Sequence, residues 1–454
     1  MICVHETLLE QIDRAVEASC DGLTQDIKEL IGIKSIKGSS FPGAPFGLGP
    51  RRMLDTVLEM GKAEGFYTND YKTGVVSLSM KEGQPDLGIW LHGDVVPEGQ
   101  GWLWPPFDAT EYKGCIIGRG ATDNKGQLCA IFHLMKIFKD LGVELNYNPA
   151  LYVGSDEESG MHDLTGIPES KDAQGFVNVC KPPRMSLVPD SSFPVGYGGK
   201  GAMIATFRSK TPLKDLQITA GQEQTPGKAV ATVYGKTFIA NSPSRHAANP
   251  DPNGNMITML MDRLLELEET AVENRQALEF FKMVSLDVHG DQFGINVKTE
   301  TMRPLTVFTK SINTVDGYPD LTVNIRYPIE ITFGDIVKHL TAVGEEYGMA
   351  LVDAQSIVKP YLLDLQNPVI AKLTGIANEI TGENKAPYTL SGATYAHVLP
   401  NALVFGMDGC DKPEGFPNGH GGAHGKDELV SLARMKRAMK IYARALLALN
   451  DMEW

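Results

Sequence analysis

Short, uninterrupted apolar runs recur along the chain at 87–91, 150–153, 185–188 and 402–405, the pattern of strands covered on both faces. Between the first two, Leu128, Ile131, Phe132, Met135, Phe138 and Leu141 repeat at helical spacing, and Gly142 closes that helix. A last periodic segment, 427–450, predicts a long helix with acids in its first turn and Lys and Arg later. Strands alternating with helices predict an α/β domain built on a largely parallel mixed sheet with helices on both faces. The middle of the chain reads differently. Residues 203–208, 230–238 and 321–327 alternate like strands with one exposed face, 256–268 and 332–347 have helical periodicity, and Val315-Asp316-Gly317-Tyr318-Pro319 is a turn signal. These predict an α+β domain over 200–358, inserted into a larger domain made of 1–199 and 359–454.

Length changes this picture little: 454 residues allow two or three domains. Charge excludes partners. With 42 Lys plus Arg against 56 Asp plus Glu, the net charge of −14 repels phosphate backbones and anionic lipid, so neither nucleic acid nor a membrane is an expected partner. Glu6, Glu10, Asp13 and Glu17 interrupt the first 20 residues, which lack the basic start and apolar stretch of a signal peptide. No run approaches the roughly 20 apolar residues of a membrane span. The expected location is cytoplasmic. Cys3, Cys20, Cys115, Cys129, Cys180 and Cys410 form no C-x-x-C pair and read as reduced, structural thiols.

Candidate chemistry gathers after the apolar strands. His92-Gly93-Asp94 follows 87–91, Glu157-Glu158 follows 150–153, Asp190 follows 185–188, and His420 and His424 lie in a Gly-rich loop after 402–405. Asp123 stands in Gly118-Arg119-Gly120-Ala121-Thr122-Asp123-Asn124-Lys125-Gly126, just before a helix. Taken singly, each has a plain structural reading: a satisfied loop histidine, a turn or N-cap aspartate, a solvated pair of glutamates. Loops at the carboxyl ends of parallel strands converge on one crevice, however, so these side chains have a way to meet. Two imidazoles with several carboxylates suit zinc, with manganese or cobalt as alternatives. Two divalent ions would answer the repulsion among the acids.

The motifs resemble a known family, the co-catalytic zinc metallopeptidases that include carnosinase, aminoacylase and succinyl-diaminopimelate desuccinylase. The resemblance runs through Leu91-His92-Gly93-Asp94-Val95-Val96-Pro97, Trp104-Pro105-Pro106-Phe107, the 118–126 stretch and Asp156-Glu157-Glu158-Ser159-Gly160. Pro189-Asp190 followed by Phe193-Pro194-Val195, Arg326-Tyr327-Pro328 and the length of the insertion look most like the PepV-type dipeptidases.

The resemblance implies a catalytic domain interrupted by a lid, and it implies roles. Asp123 would bridge two metals, with His92 and Asp190 completing one site and Glu158 and His424 the other. Asp94 would orient His92, and Glu157 would be the general base. His424-Gly425-Lys426-Asp427-Glu428 matches the family's His-x-x-Asn/Asp-Glu, which favours His424 over His420. The peptide bond after Asp123 would be cis. In the lid, His246 would stabilise the oxyanion, and Arg326, with the backbone at Gly392 and Ala393, would take the substrate's C-terminal carboxylate. The family's Asn-x-Val-Pro stretch has only Glu223-Gln224-Thr225-Pro226 as its nearest match.

The expected activity is therefore hydrolysis of small peptides, dipeptides with a free C-terminal carboxylate, by a monomer or homodimer. Two alternatives stand beside it: an N-acyl amino acid deacylase on the same metals, and a metal-binding protein without catalysis.

Overall fold

The computed structural model describes every residue except 1–6, 169, 172, 222–226, 243–250, 252–254, 269, 271 and 408–410. It has two compact units. One comprises Met1–Tyr197, Leu363–Tyr388 and Thr394–Trp454; the other comprises Gly198–Leu362 and Thr389–Ala393. The short 389–393 return is not part of the insertion expected from the sequence, which ended at 358.

The sheet of the first unit runs in the order Tyr67–Asp70, Val76–Ser79, Pro149–Gly154, Leu87–His92, Met185–Val188, Ala402–Val404, with Gly196 paired beside Val404. The four strands from Pro149–Gly154 to Ala402–Val404 are parallel to one another, and their neighbours on either side are antiparallel. All four are buried at every position, which is why their sequences read as solid apolar runs rather than alternations. Leu151 lies in register with Ile89 on one side and Leu78 on the other. Trp90 stacks on Tyr152 with ring centroids 4.1 Å apart and meets the edge of Phe176. The helix Lys125–Asp140 is buried on nearly every side, as its apolar sequence requires. Parallel strands end on the same side, so the residues after His92, Gly154 and Val188 emerge along one edge of the sheet.

The C-terminal helix corrects an expectation. It spans Leu432–Leu449, capped by the Ser431 hydroxyl, and has no acid in its first turn. Asp427 and Glu428 instead precede a short strand, Leu429–Ser431, that pairs with Cys115–Ile117. Both acids are fully buried, because their carboxylates serve other backbone groups rather than a helix dipole.

The second unit is an antiparallel seven-stranded sheet in the order Lys236–Ser242, Gly227–Val233, Leu216–Gly221, Thr306–Val315, Tyr318–Tyr327, Gly201–Ser209, Met349–Val358. Helices Met256–Glu266, Val272–Leu286 and Phe333–Glu346 accompany it. One face supplies Met203, Ala205, Phe207, Val323 and Ile325 to an apolar core shared with Leu260, Phe281 and Leu340. The single strand expected over 230–238 is a hairpin. Tyr234 and Gly235, at φ 45° and 76°, make a two-residue turn of the kind that matches strand twist. Because Val233 pairs with Lys236, the turn shifts the inward face from odd positions, Ala229, Ala231 and Val233, to even ones, Ala240 and Ser242. The turn expected near 316 is the same device, with Asp316 and Gly317 at φ 52° and 84°.

Among the described residues no helix is long and apolar enough to cross a membrane. Cys20, Cys115, Cys129 and Cys180 are free thiols.

Truncating Leu151 to alanine in the central strand should cost about 2–5 kcal/mol, read from urea denaturation. A change below about 1 kcal/mol would contradict this account of the core.

Candidate metal centre

The edge of the parallel sheet collects the expected cluster. His92, the last residue of its strand, directs Nδ1 to the Asp94 carbonyl oxygen at 3.0 Å. The Asp94 carboxylate lies farther off, 3.6 Å from that nitrogen. Asp94 thus meets the ring chiefly through its backbone carbonyl, and a proton on Nδ1 would leave the Nε2 lone pair facing the centre. The Asp94 carboxylate accepts the amides of Glu157 and Glu158, both at 3.2 Å. One residue thereby joins the end of one strand to the turn after its neighbour.

Asp123 lies between the two imidazoles. Its Oδ1 is 3.0 Å from His92 Nε2, and its Oδ2 is 3.1 Å from His424 Nε2. His424 Nε2 is also 2.9 Å from Glu158 Oε1. The Asp123–Asn124 peptide bond is cis, and the Asn124 side-chain amide donates to Asp190 Oδ1 at 2.8 Å. Two overlapping sets, His92 with Glu157 and Asp190, and His92 with Asp123 and Glu158, bring donor atoms within 4.8 Å of one another. His420 is elsewhere engaged, its Nδ1 paired with Asp427.

The electrostatics are those of a site short of positive charge. Burial works against a charged His424, yet its hydrogen bonds to Asp123 and Glu158 raise it to about 11. His92 is raised well above the imidazole range in the same way, against its burial, by Asp123 and Asp94. Burial and the charge of Asp190 push Glu157 well above the ordinary carboxyl range, and burial and Asp123 raise Glu158. Glu157 Oε1 is buried with no hydrogen-bond partner. Crowded carboxylates, two imidazoles facing inward and an orphaned carboxylate oxygen fit a centre for divalent cations, which supply the missing charge.

Residues 89–448 match the model of peptidase family M20/M25/M40. The chain belongs to that family. This M20 peptidase is an enzyme, a metallopeptidase hydrolase. It is similar to a protein of Staphylococcus epidermidis named "Putative dipeptidase", 25% identical over 473 residues, covering 94% of this chain and 97% of the relative. "Putative dipeptidase YtjP" of Bacillus subtilis is likewise 25% identical over 467 residues, covering 94% and 96%. In fold the peptidase resembles human carnosine dipeptidase 1, with a TM-score of 0.63 at 15% identity over 98% of this chain and 100% of that one. It also resembles the dipeptidase Dug1p of Saccharomyces cerevisiae, with a TM-score of 0.64 at 14% identity over 98% and 99%.

The remaining expected site residues belong to the other unit or escape description. Arg326 is half-buried on Tyr318–Tyr327, in register with Thr306 and Ala202. Gly392 and Ala393 are half-buried in the 389–393 segment, and a Cβ at Gly392 would meet nothing within 4 Å. His246 and the 223–226 stretch lie outside the described residues.

The peptidase also uses residues that sequence reasoning passed over. Glu428 Oε1 accepts the amides of Thr122 and Asp123 at 2.9 and 3.0 Å, while its Oε2 pairs with Arg119 at 2.6 Å. Asp427 accepts the amides of Leu103 and Trp104 at 2.8 and 3.1 Å. Asp163 accepts the amides of Ser155 and Asp156 at 2.7 and 3.2 Å, and the Tyr395 hydroxyl at 2.5 Å. The motifs contained Arg119 and Glu428, but their pairing across 309 residues is not legible in either segment.

Burial pushes the Asp163 carboxyl up to about 7 against the pull of these donors. The Tyr395 hydroxyl favours the ionised form, so Tyr395→Phe should cost more at pH 8, where that form prevails, than at pH 5. The expected loss at pH 8 is about 1–3 kcal/mol, followed by thermal denaturation across the pH range. An equal cost at both values would refute the assignment.

Proposed function

We propose that this peptidase hydrolyses the amide bond of dipeptides with a free C-terminal carboxylate, using two divalent ions held by His92, Asp123, Asp190, Glu158 and His424. The observation that carries this reading is Asp123, with one carboxylate oxygen turned to each imidazole. Zinc is the first choice for this mixture of imidazole and carboxylate, with manganese or cobalt as alternatives. Bound there, the ions supply Lewis acidity for the scissile carbonyl and lower the pKa of a water.

The chain's own groups do the rest. Glu157 is the general base: its Oε1, free of hydrogen bonds, accepts the proton of the attacking water and later passes it to the leaving amine. Asp94 holds the Glu157 and Glu158 amides, so the base and its neighbouring ligand keep a fixed relation to His92. His246 is assigned to the developing oxyanion from the sequence motif. Arg326 and the backbone at Gly392 and Ala393 are assigned to the substrate carboxylate, for which guanidinium is the suited partner. A protein kept only to bind metal has no use for an uncommitted buried carboxylate, which weighs against a non-catalytic role.

Glu157→Gln should lower kcat by about 10²–10⁴-fold with metal content unchanged, measured by steady-state kinetics and elemental analysis. A near-normal rate with two bound metals would sink the assignment of the base. Chelation should abolish turnover of dipeptides, and zinc, manganese or cobalt should restore it. Dipeptide amides and N-acetyl amino acids should be poor substrates in the same assay. Preferred turnover of N-acetyl amino acids would favour a deacylase, and no turnover of any compound would favour a metal-binding role.

A further inference from the structure

We infer that the buried Arg119–Glu428 ion pair is a positioning device for the metal centre, setting where His424 and Asp123 present their donor atoms. This rests on the proposal that those two residues hold cations. Neither Arg119 nor Glu428 has a place among the ligands or in the proton transfers.

The pair is buried almost completely, with side-chain exposures of 1% and 0%. Burying two charges is costly, and well-packed apolar residues of similar volume often stabilise as well or better. Stability alone therefore gives a weak reason for the pair. Its contacts give a stronger one. Arg119 Nη1 meets Glu428 Oε2, while Nη2 donates to the carbonyl oxygens of Pro97 and Glu98, both at 3.3 Å, and of His424 at 3.2 Å. The guanidinium lies 5.2 Å from the Trp102 ring centroid. Glu428 holds the Thr122 and Asp123 amides with Oε1, and its backbone carbonyl accepts the Gly118 amide at 2.8 Å. One ion pair thus grips the backbone of Asp123 and the backbone of His424, which are 301 residues apart.

His424 needs such a hold more than the other ligands do. His92 ends a buried strand, whereas His424 stands in a loop among Gly419, Gly421, Gly422 and Gly425, at φ 59°, with its side chain 42% exposed. Its imidazole is held at Nε2 by Asp123 and Glu158, and the position of the loop backbone decides whether Nε2 reaches them. Arg119 is the residue that links that backbone to the Asp123 turn.

Arginine's fork is essential to this role, and lysine separates the fork from the charge. Lysine retains a cation opposite Glu428 but cannot also span the carbonyls that guanidinium reaches. The test is zinc binding by chelator competition, with stoichiometry by elemental analysis, on wild type, Arg119→Lys, Arg119→Met and Leu151→Ala. Wild type should bind two zinc ions. Arg119→Lys should keep most of its thermal stability and hold one ion as wild type does, with the other weakened about 10–100-fold. Its turnover should recover at saturating zinc. Arg119→Met should show the same weakening with a lower melting temperature. Leu151→Ala should melt lower with both zinc affinities unchanged, since that residue supports the sheet and not the ligand loops. Wild-type zinc affinities in Arg119→Lys would overturn the inference and leave the proposed function standing, as would equal weakening in Leu151→Ala. A wild-type protein that binds no zinc, manganese or cobalt would overturn both.

Discussion

Five carboxylates, Asp94, Asp123, Glu157, Glu158 and Asp190, are held at one edge of a sheet, where burial and neighbouring acids oppose the charged forms of Glu157 and Glu158, while His424 and His92 hold Asp123 low against its burial. The surrounding structure answers this with two imidazoles and with backbone amides aimed at acids set behind the centre. Asp94 takes the amides of Glu157 and Glu158, Asp163 those of Ser155 and Asp156, and Glu428 those of Thr122 and Asp123. In each case a buried carboxylate secures the turn that carries a candidate ligand or the candidate base. Glu157 Oε1 stands outside this pattern, buried and unbonded, at the place where a proton acceptor would be of use.

The same arrangement divides labour between regular and irregular structure. His92 inherits its place from a strand buried along its whole length, and the turns after Gly154 and Val188 emerge beside it because parallel strands share a direction. His424 has no such inheritance. Its loop is tied down through Asp427, which holds the Leu103 and Trp104 amides, and through Glu428 and Arg119. Where no strand is available to supply precision, buried ionic and backbone contacts take over.

Much of this was legible in the chain. Solid apolar runs marked the parallel strands, and alternation marked the antiparallel unit, because burial on two faces or on one leaves different periods. His92, Asp123, Glu157, Glu158, Asp190 and His424 stood out because each follows such a strand or precedes a helix. The hairpin at Tyr234-Gly235 is not legible because Tyr-Gly is not one of the Asn-Gly or Asp-Gly pairs that announce such a turn. The start of the final helix was misplaced because Asp427 and Glu428 look like first-turn acids and are in fact buried acceptors.

The sequence by itself determined the two kinds of sheet, the absence of a long apolar span, and the residue types that suit a cation centre. Those properties follow from local pattern and composition, which each segment carries independently. Only the tertiary structure decided which histidine faces Asp123, that Asp94 meets His92 chiefly through its carbonyl, and that Arg119 and Glu428 meet. Such choices depend on distances of a few ångströms between segments hundreds of residues apart, and those distances exist only once the strands have packed.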